Sequence, residues 1–167
     1  ALDLKDDCAL ITPEPGTELV LKTDPVAEGV HFLASDAPED VAWKALAVNV
    51  SDLAAKGARP VGYLMSLAFP SAPTESWMAE FASGLSQAQA AFGIHLMGGD
   101  TDRRPGPLSI TPMVVGEVPA GRMVRRGPAR AGDIICVSGT LGDAALGLRL
   151  RRDPGLARWW GLSEAQA

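Results

Sequence analysis

Asn49, Asp52 and Lys56 are spaced i, i+3 and i+7, so a helix would carry all three on one face. Their neighbours are almost wholly apolar, and Asn and Asp are poor interior helix formers because their side chains compete for backbone hydrogen bonds. A carboxylate in that setting is either part of a solvated stripe or a ligand. Three more acidic strings stand where strands should end: Asp6-Asp7, Thr23-Asp24 and Gly98-Gly99-Asp100-Thr101-Asp102. The last brings glycines, which let backbone approach a phosphate closely, although no Gly-x-x-x-x-Gly-Lys-Ser/Thr string occurs. Arg122, Arg125, Arg126 and Arg130 cluster around Gly127-Pro128. Arginine suits bidentate phosphate contact, and equally a solvated face. His31, beside Phe32, reads as a structural or a binding histidine.

The elements that must position these residues follow from periodicity and breakers. Val41, Ala45, Leu46, Val50, Leu53 and Ala54 recur at helical spacing, with Pro38, Glu39 and Asp40 in the first turn and Gly57 and Pro60 beyond the end, which predicts a helix from about Pro38 to Lys56. Thr74 caps a second helix to about Phe92, with Trp77, Phe81, Leu85, Ala88 and Phe92 as its core face and Gly93 closing it. Strands are expected over residues 8–12, 18–24, 62–69, 94–97, 108–118 and 133–138. The first two form a hairpin that brings Asp7 and Asp24 together. Residues 98–102 read as a loop, and Pro112 makes residues 108–118 an edge or bulged strand. A third helix covers residues 143–152. The order is α+β: a mixed or antiparallel sheet with two helices on one face.

The 167 residues are 47% hydrophobic and 21% charged, enough to bury a core, with no apolar run near the length of a membrane span. No basic-then-apolar leader pattern opens them, and Cys8 and Cys136 have no metal or Cys-x-x-Cys spacing. They read as reduced, buried thiols, and the expected setting is cytoplasmic, without nucleic-acid or membrane partners. Residues 1–121 hold 16 acidic against 7 basic side chains, while residues 122–167 hold 4 against 8. That asymmetry suits a metal-bound polyanion held between the two parts, or is chance.

The strings Asp-Asp-Cys-Ala-Leu, Thr-Asp-Pro-Val-Ala-Glu-Gly-Val-His-Phe, Lys-Ala-Leu-Ala-Val-Asn-Val-Ser-Asp-Leu-Ala-Ala-Lys-Gly-Ala, Gly-Gly-Asp-Thr and Ser-Gly-Thr-Leu-Gly-Asp-Ala-Ala occur in this order between about Leu4 and Leu150. Together they resemble the thiamine-monophosphate kinase family, within the superfamily of aminoimidazole ribonucleotide synthetase. The resemblance implies that Asp7, Thr23, Asp24, Asp52 and Asp100 are metal positions, that Gly99 and Asp100 belong to a nucleotide loop, that Arg126 contacts ATP and that His31 binds substrate. It implies Mg2+ as cofactor, ATP as co-substrate and thiamine phosphate as acceptor, with direct in-line phosphoryl transfer and no dedicated catalytic base. Four converging carboxylates would repel without a cation, which fits that metal assignment. The resemblance also implies an amino-terminal ATP/Mg-binding and dimerisation domain over residues 1–121. It makes residues 122–167 the truncated start of a second domain. The sheet is expected to pair across a homodimer into a barrel. Two departures stand out: Asp3-Leu4-Lys5 replaces a Gly-x-Gly pattern, and Lys22 replaces a hydroxyl residue that can also contact metal, so that a cation there is expected to weaken one ion site or substitute for it. The alternatives are another ATP-using enzyme of the superfamily (aminoimidazole ribonucleotide synthetase, selenophosphate synthetase or a hydrogenase-maturation protein) or a non-catalytic nucleotide- or metal-binding module. Cys8 follows paired aspartates rather than a glycine-rich segment, which argues against selenophosphate synthetase.

Overall fold

The computed structural model describes residues 4–163, divided into two compact units that meet between Arg126 and Gly127. The first unit is a five-stranded open mixed sheet with two helices: β1 (Thr17–Thr23), β2 (Val26–Ala27), α1 (Pro38–Ala54), β3 (Arg59–Phe69), α2 (Glu75–Phe92), β4 (His95–Arg103) and β5 (Ser109–Pro119). The sheet order is β1-β5-β3-β4, with β2 also on β5. β3 and β4 are parallel, joined by α2 as such a crossover requires, and the other pairings are antiparallel.

α1 forms as its periodicity predicts, burying Val41, Ala45, Leu46, Val50 and Leu53 against β5, β1 and β3. Thr74 caps α2 by accepting from the Trp77 N–H, and Gly93 closes it in the left-handed conformation. α2 packs chiefly on α1. At Gly84 a Cβ would fall 2.3 Å from the Glu39 carbonyl oxygen, so only glycine permits that approach. Trp77 carries α2 to the sheet through an edge-on contact with Phe69 and a stack on Phe81. Tyr63, Met65, Leu67 and Phe69 on β3 and Ile110 and Val114 on β5 alternate into the same core.

Several local expectations change. Residues 8–12 are irregular, so β1 finds β5 instead of a hairpin neighbour, and Cys8 is exposed, as is Cys136. Both cysteines are free. Residues 98–102 continue β4 rather than forming a loop, because parallel pairing with β3 runs on to Phe69↔Arg103. Pro112 sits in the central strand β5. Its carbonyl accepts from Thr23 Oγ1, so its missing N–H faces the same flank, where pairing breaks between β1 and β2. The proline is accommodated by a gap in its neighbour rather than by an edge.

The second unit contains α3 (Asp143–Arg152) and α4 (Gly155–Trp159). Residues 133–138 are not a strand, and Ile134 and Ile135 lie exposed. A strand needs a partner for its backbone groups, and none is present among the described residues of this unit. No helix among the described residues is long and apolar enough to cross a membrane.

Candidate functional site

The end of β1 divides the singled-out residues into two groups. Strand alternation turns Lys22 to the α1 side, with buried Val20, while Leu21 and Thr23 turn to the other face. Thr23 lines a cavity of about 1020 Å³ that draws its walls from residues on both faces of the sheet. Asp6, Asp7 and Cys8 from the amino-terminal segment, Thr23, and residues 98–101 of β4 contribute to its walls, with apolar cover from Met78 and Leu85 of α2. Four predicted residues therefore meet here: Asp7, Thr23, Gly99 and Asp100. Thr23 Oγ1 donates to Pro112 O at 2.9 Å, which fixes its rotamer and leaves its lone pairs free to accept. Asp100 Oδ1 accepts from the Thr101 N–H at 2.8 Å, and Asp102 Oδ1 from the Arg103 N–H at 2.7 Å. Those two amides are thus already engaged. Gly99 owes its identity to packing: a Cβ would fall 2.0 Å from the Met65 carbonyl oxygen of β3.

On the α1 side, Lys22 Nζ stands 2.7 Å from Asp24 Oδ2 and 2.8 Å from Asp52 Oδ2. The ammonium is held by hydrogen bonds to Asp24 first and Asp52 second, which raises its pKa above the usual lysine value. Lys22 is likewise the main cause that holds the Asp52 carboxyl below its ordinary range, with smaller help from Lys56 and Arg126. Arg126 is thereby brought into the electrostatic neighbourhood of Asp52.

Asn49 does not lie on a solvated face. It is fully buried, and its amide clamps the backbone of Asp24: Oδ1 accepts from Asp24 N–H at 2.8 Å, and Nδ2 donates to Asp24 O at 3.2 Å and Ala45 O at 3.0 Å. The clamp ties the strand end to α1 one turn before Asp52. Sequence reading placed Asn49 on the right face without its role. The available signal was an amide amid apolar helix residues, 25 positions from an aspartate that ends a strand.

His31 stands apart from both groups. Its Nδ1 accepts from the Ala27 N–H at 3.0 Å, which leaves the ring proton on Nε2, and Lys44 Nζ donates to its carbonyl. Phe32 anchors this loop in the core. The four carboxylates do not form one cluster: no group of three or more His, Cys, Asp or Glu is arranged to hold an ion among the described residues.

Residues 5–118 match the family described as AIR synthase related protein, N-terminal domain. A thiamine-monophosphate kinase of Caulobacter vibrioides is 43% identical over 165 residues, which is 99% of this chain and 45% of that protein. The crystal structure of thiamine-monophosphate kinase from Stenotrophomonas maltophilia superposes with a TM-score of 0.82 at 44% identity, covering 90% of this chain and 46% of that one. The structure of AaThiL complexed with AMPPCP and TMP superposes with a TM-score of 0.75 at 40% identity, covering 85% and 46%. The chain thus spans a little under half the length of these relatives.

Proposed function

Because the chain belongs to the AIR synthase related protein family through its N-terminal domain, we propose that it serves the ATP-dependent phosphorylation of thiamine monophosphate to thiamine diphosphate. The observation that carries this reading is the meeting of Asp7, Thr23, Gly99 and Asp100, drawn from three separate segments, around one cavity. The likeness to a protein complexed with AMPPCP, a methylene analogue of ATP, and TMP supports the choice of substrates.

Phosphoryl transfer asks a protein mainly for positioning and charge neutralisation. The acceptor here is itself a phosphate, already anionic, so no side chain needs to remove a proton from it. The cavity offers hard oxygen donors, which fit magnesium: that ion keeps several waters and needs only one or two carboxylates beside substrate phosphates. Asp7 and Asp100, with Thr23, would hold it. Magnesium held by these residues would supply charge neutralisation to the substrate phosphates. Gly99 keeps β4 tight against β3, so the wall carrying Asp100 is rigid. Arg126 offers a planar cation to the nucleotide phosphates, and His31 offers its Nε2 proton to the acceptor. The sheet is open, with β1 and β4 at its edges and Leu21 61% exposed on the face away from α1, which suits pairing with a second copy.

The test is formation of thiamine diphosphate by the full chain supplied with ATP, magnesium and thiamine monophosphate, separated and quantified by chromatography. Product that depends on both ATP and the acceptor is expected. A folded protein that binds ATP and yields no thiamine diphosphate refutes the reading. Light scattering at micromolar concentration tests the pairing, and a strict monomer removes it.

A further inference from the structure

We propose that the Lys22 ammonium is a resident cation that fills the subsite between Asp24 and Asp52, so that this pair takes no divalent ion. The proposal rests on reading the neighbouring cavity as a magnesium-nucleotide site, and extends it by assigning where an ion does not bind.

The geometry is specific. One nitrogen contacts Oδ2 of both carboxylates, so those two oxygens lie within about 5.5 Å of each other, near enough to repel if left alone. Neither carboxylate reaches Lys22 by chance of a long surface side chain. Asp24 is fixed through its backbone to the Asn49 amide, and Asp52 lies one turn further along the same helix. Lys22 projects from the sixth of the seven residues of the paired strand β1, and its side chain is only 26% exposed, against 55% and 51% for its partners. The lysine is therefore the inner member of the trio, with the carboxylates closing over it from the solvent side. A magnesium ion seeking these oxygens would have to expel a charge already hydrogen-bonded to both, or sit beside it against direct repulsion. The two aspartates carry one net negative charge with the lysine in place and two without it. Asp7 and Asp100 line the cavity, whose lining among the described residues includes no lysine, and on this reading they remain the carboxylates offered to an ion there.

The experiment counts bound Mn2+ on the full chain, stripped with chelator and free of nucleotide, by the loss of the free-ion paramagnetic resonance signal. Lys22→Ser is expected to bind one more Mn2+ per chain than wild type, and magnesium should compete for it. Lys22→Arg keeps a cation and should match wild type. Equal counts for wild type and Lys22→Ser overturn the proposal. If Lys22→Ser folds only when a divalent ion is supplied, the ion is replacing the ammonium, as proposed. If it fails to fold with or without Mn2+, Lys22 is a structural strut and the proposal falls. The count is independent of turnover: a wild-type protein that makes no thiamine diphosphate sinks the functional reading and leaves this result standing. An active wild type with no extra ion in Lys22→Ser does the reverse.

Discussion

Replacing Asn49 tests whether α1 holds the end of β1 in place. Asn49→Leu keeps a similar volume and removes three hydrogen bonds, two of them to the backbone of Asp24. A hydrogen bond contributes about 1 kcal/mol net, and a stranded backbone group costs about 1–3 kcal/mol. Asp24 lies near water, which rescues part of that cost, so the loss works out at about 3 kcal/mol. For a cooperative unit of this size that lowers Tm by about 10 °C. Asn49→Asp is the sharper variant because it is isosteric. One oxygen still accepts from the Asp24 N–H, but the other now faces the carbonyls of Asp24 and Ala45, to which the amide had donated. A buried anion against two acceptors loses more than the leucine does. Only the protonated acid can donate there, so the introduced carboxyl has a folded pKa raised above its unfolded value. Such a group is best tolerated at low pH, and its penalty grows as pH rises through the folded pKa. Urea melts between about pH 7 and about pH 5 should therefore show Asn49→Asp regaining stability relative to wild type on acidification, with Asn49→Leu showing no such trend. Asn49→Leu within about 0.5 kcal/mol of wild type, or an Asn49→Asp loss that is flat with pH, refutes the clamp.

Lys22→Met leaves Asp24 and Asp52 facing each other. In wild type the Asp52 carboxyl is depressed by Lys22, so the pair's contribution is present above the ordinary carboxylate range near 3.8 and is lost as pH falls through the folded value. The advantage of metal-free wild type over Lys22→Met should thus shrink on acidification below about pH 4. It should stay near or below about 1 kcal/mol throughout, since both carboxylates are half exposed to water; a difference that widens in acid contradicts the assignment. Tyr63 is fully buried with a hydroxyl that meets no partner, and burial pushes its pKa up to about 12. Tyr63→Phe should therefore be neutral or stabilising by about 1 kcal/mol in a denaturant melt, and a clear loss would reveal a hydrogen bond to that oxygen. Gly99→Ala drives a methyl group into the Met65 carbonyl, so it should cost about 3 kcal/mol or prevent folding, whereas Gly106→Ala meets no atom and should cost less, only the backbone strain of its φ of +115°. Similar melts for the two variants would remove the packing argument.

Both long helices were legible in the sequence because each carries redundant signals. Pro38 with Glu39 and Asp40 opens α1, and Thr74 and Gly93 bracket α2 around an apolar stripe. The strands were less legible where partner choice decides the outcome. Residues 8–12 have the composition of a strand, yet β5 takes β1 on that flank and leaves them without a ladder. Residues 98–102 have the composition of a loop, yet β3 is long enough to pair with them to the end, and glycine at position 99 is what lets the two backbones close. The acidic strings pointed to one converging set of Asp7, Asp24, Asp52 and Asp100, whereas Asp7 and Asp100 line a cavity with Thr23 and Asp24 and Asp52 meet at Lys22. Lys22 was legible as a cation at an expected metal position, but not its contacts with Asp24 and Asp52, because which face of β1 it occupies depends on a register that no local pattern encodes.

The break between β1 and β2 explains how one strand end can serve two sides of the sheet. The register that ends at Thr23↔Met113 resumes unshifted at Val26↔Ile110, so Asp24 stands opposite Pro112. An ordinary residue at position 112 would offer an N–H to the Asp24 carbonyl and continue the ladder. Proline cannot, and its own carbonyl is taken by the Thr23 hydroxyl. The backbone N–H and C=O of Asp24 are left over, and the Asn49 amide accepts the one and donates to the other. Asp24 is consequently bound to the helix instead of the sheet, and its carboxylate turns to Lys22 beside Asp52. Thr23, one residue earlier and still in the ladder, keeps its place on the cavity wall with Asp7 and Asp100. Pro112 and Asn49 are thus a matched pair: the proline releases the strand and the asparagine captures it. Restoring a backbone donor with Pro112→Ala would let β5 compete with Asn49 for Asp24, and so pull the carboxylate away from Lys22 without touching either residue.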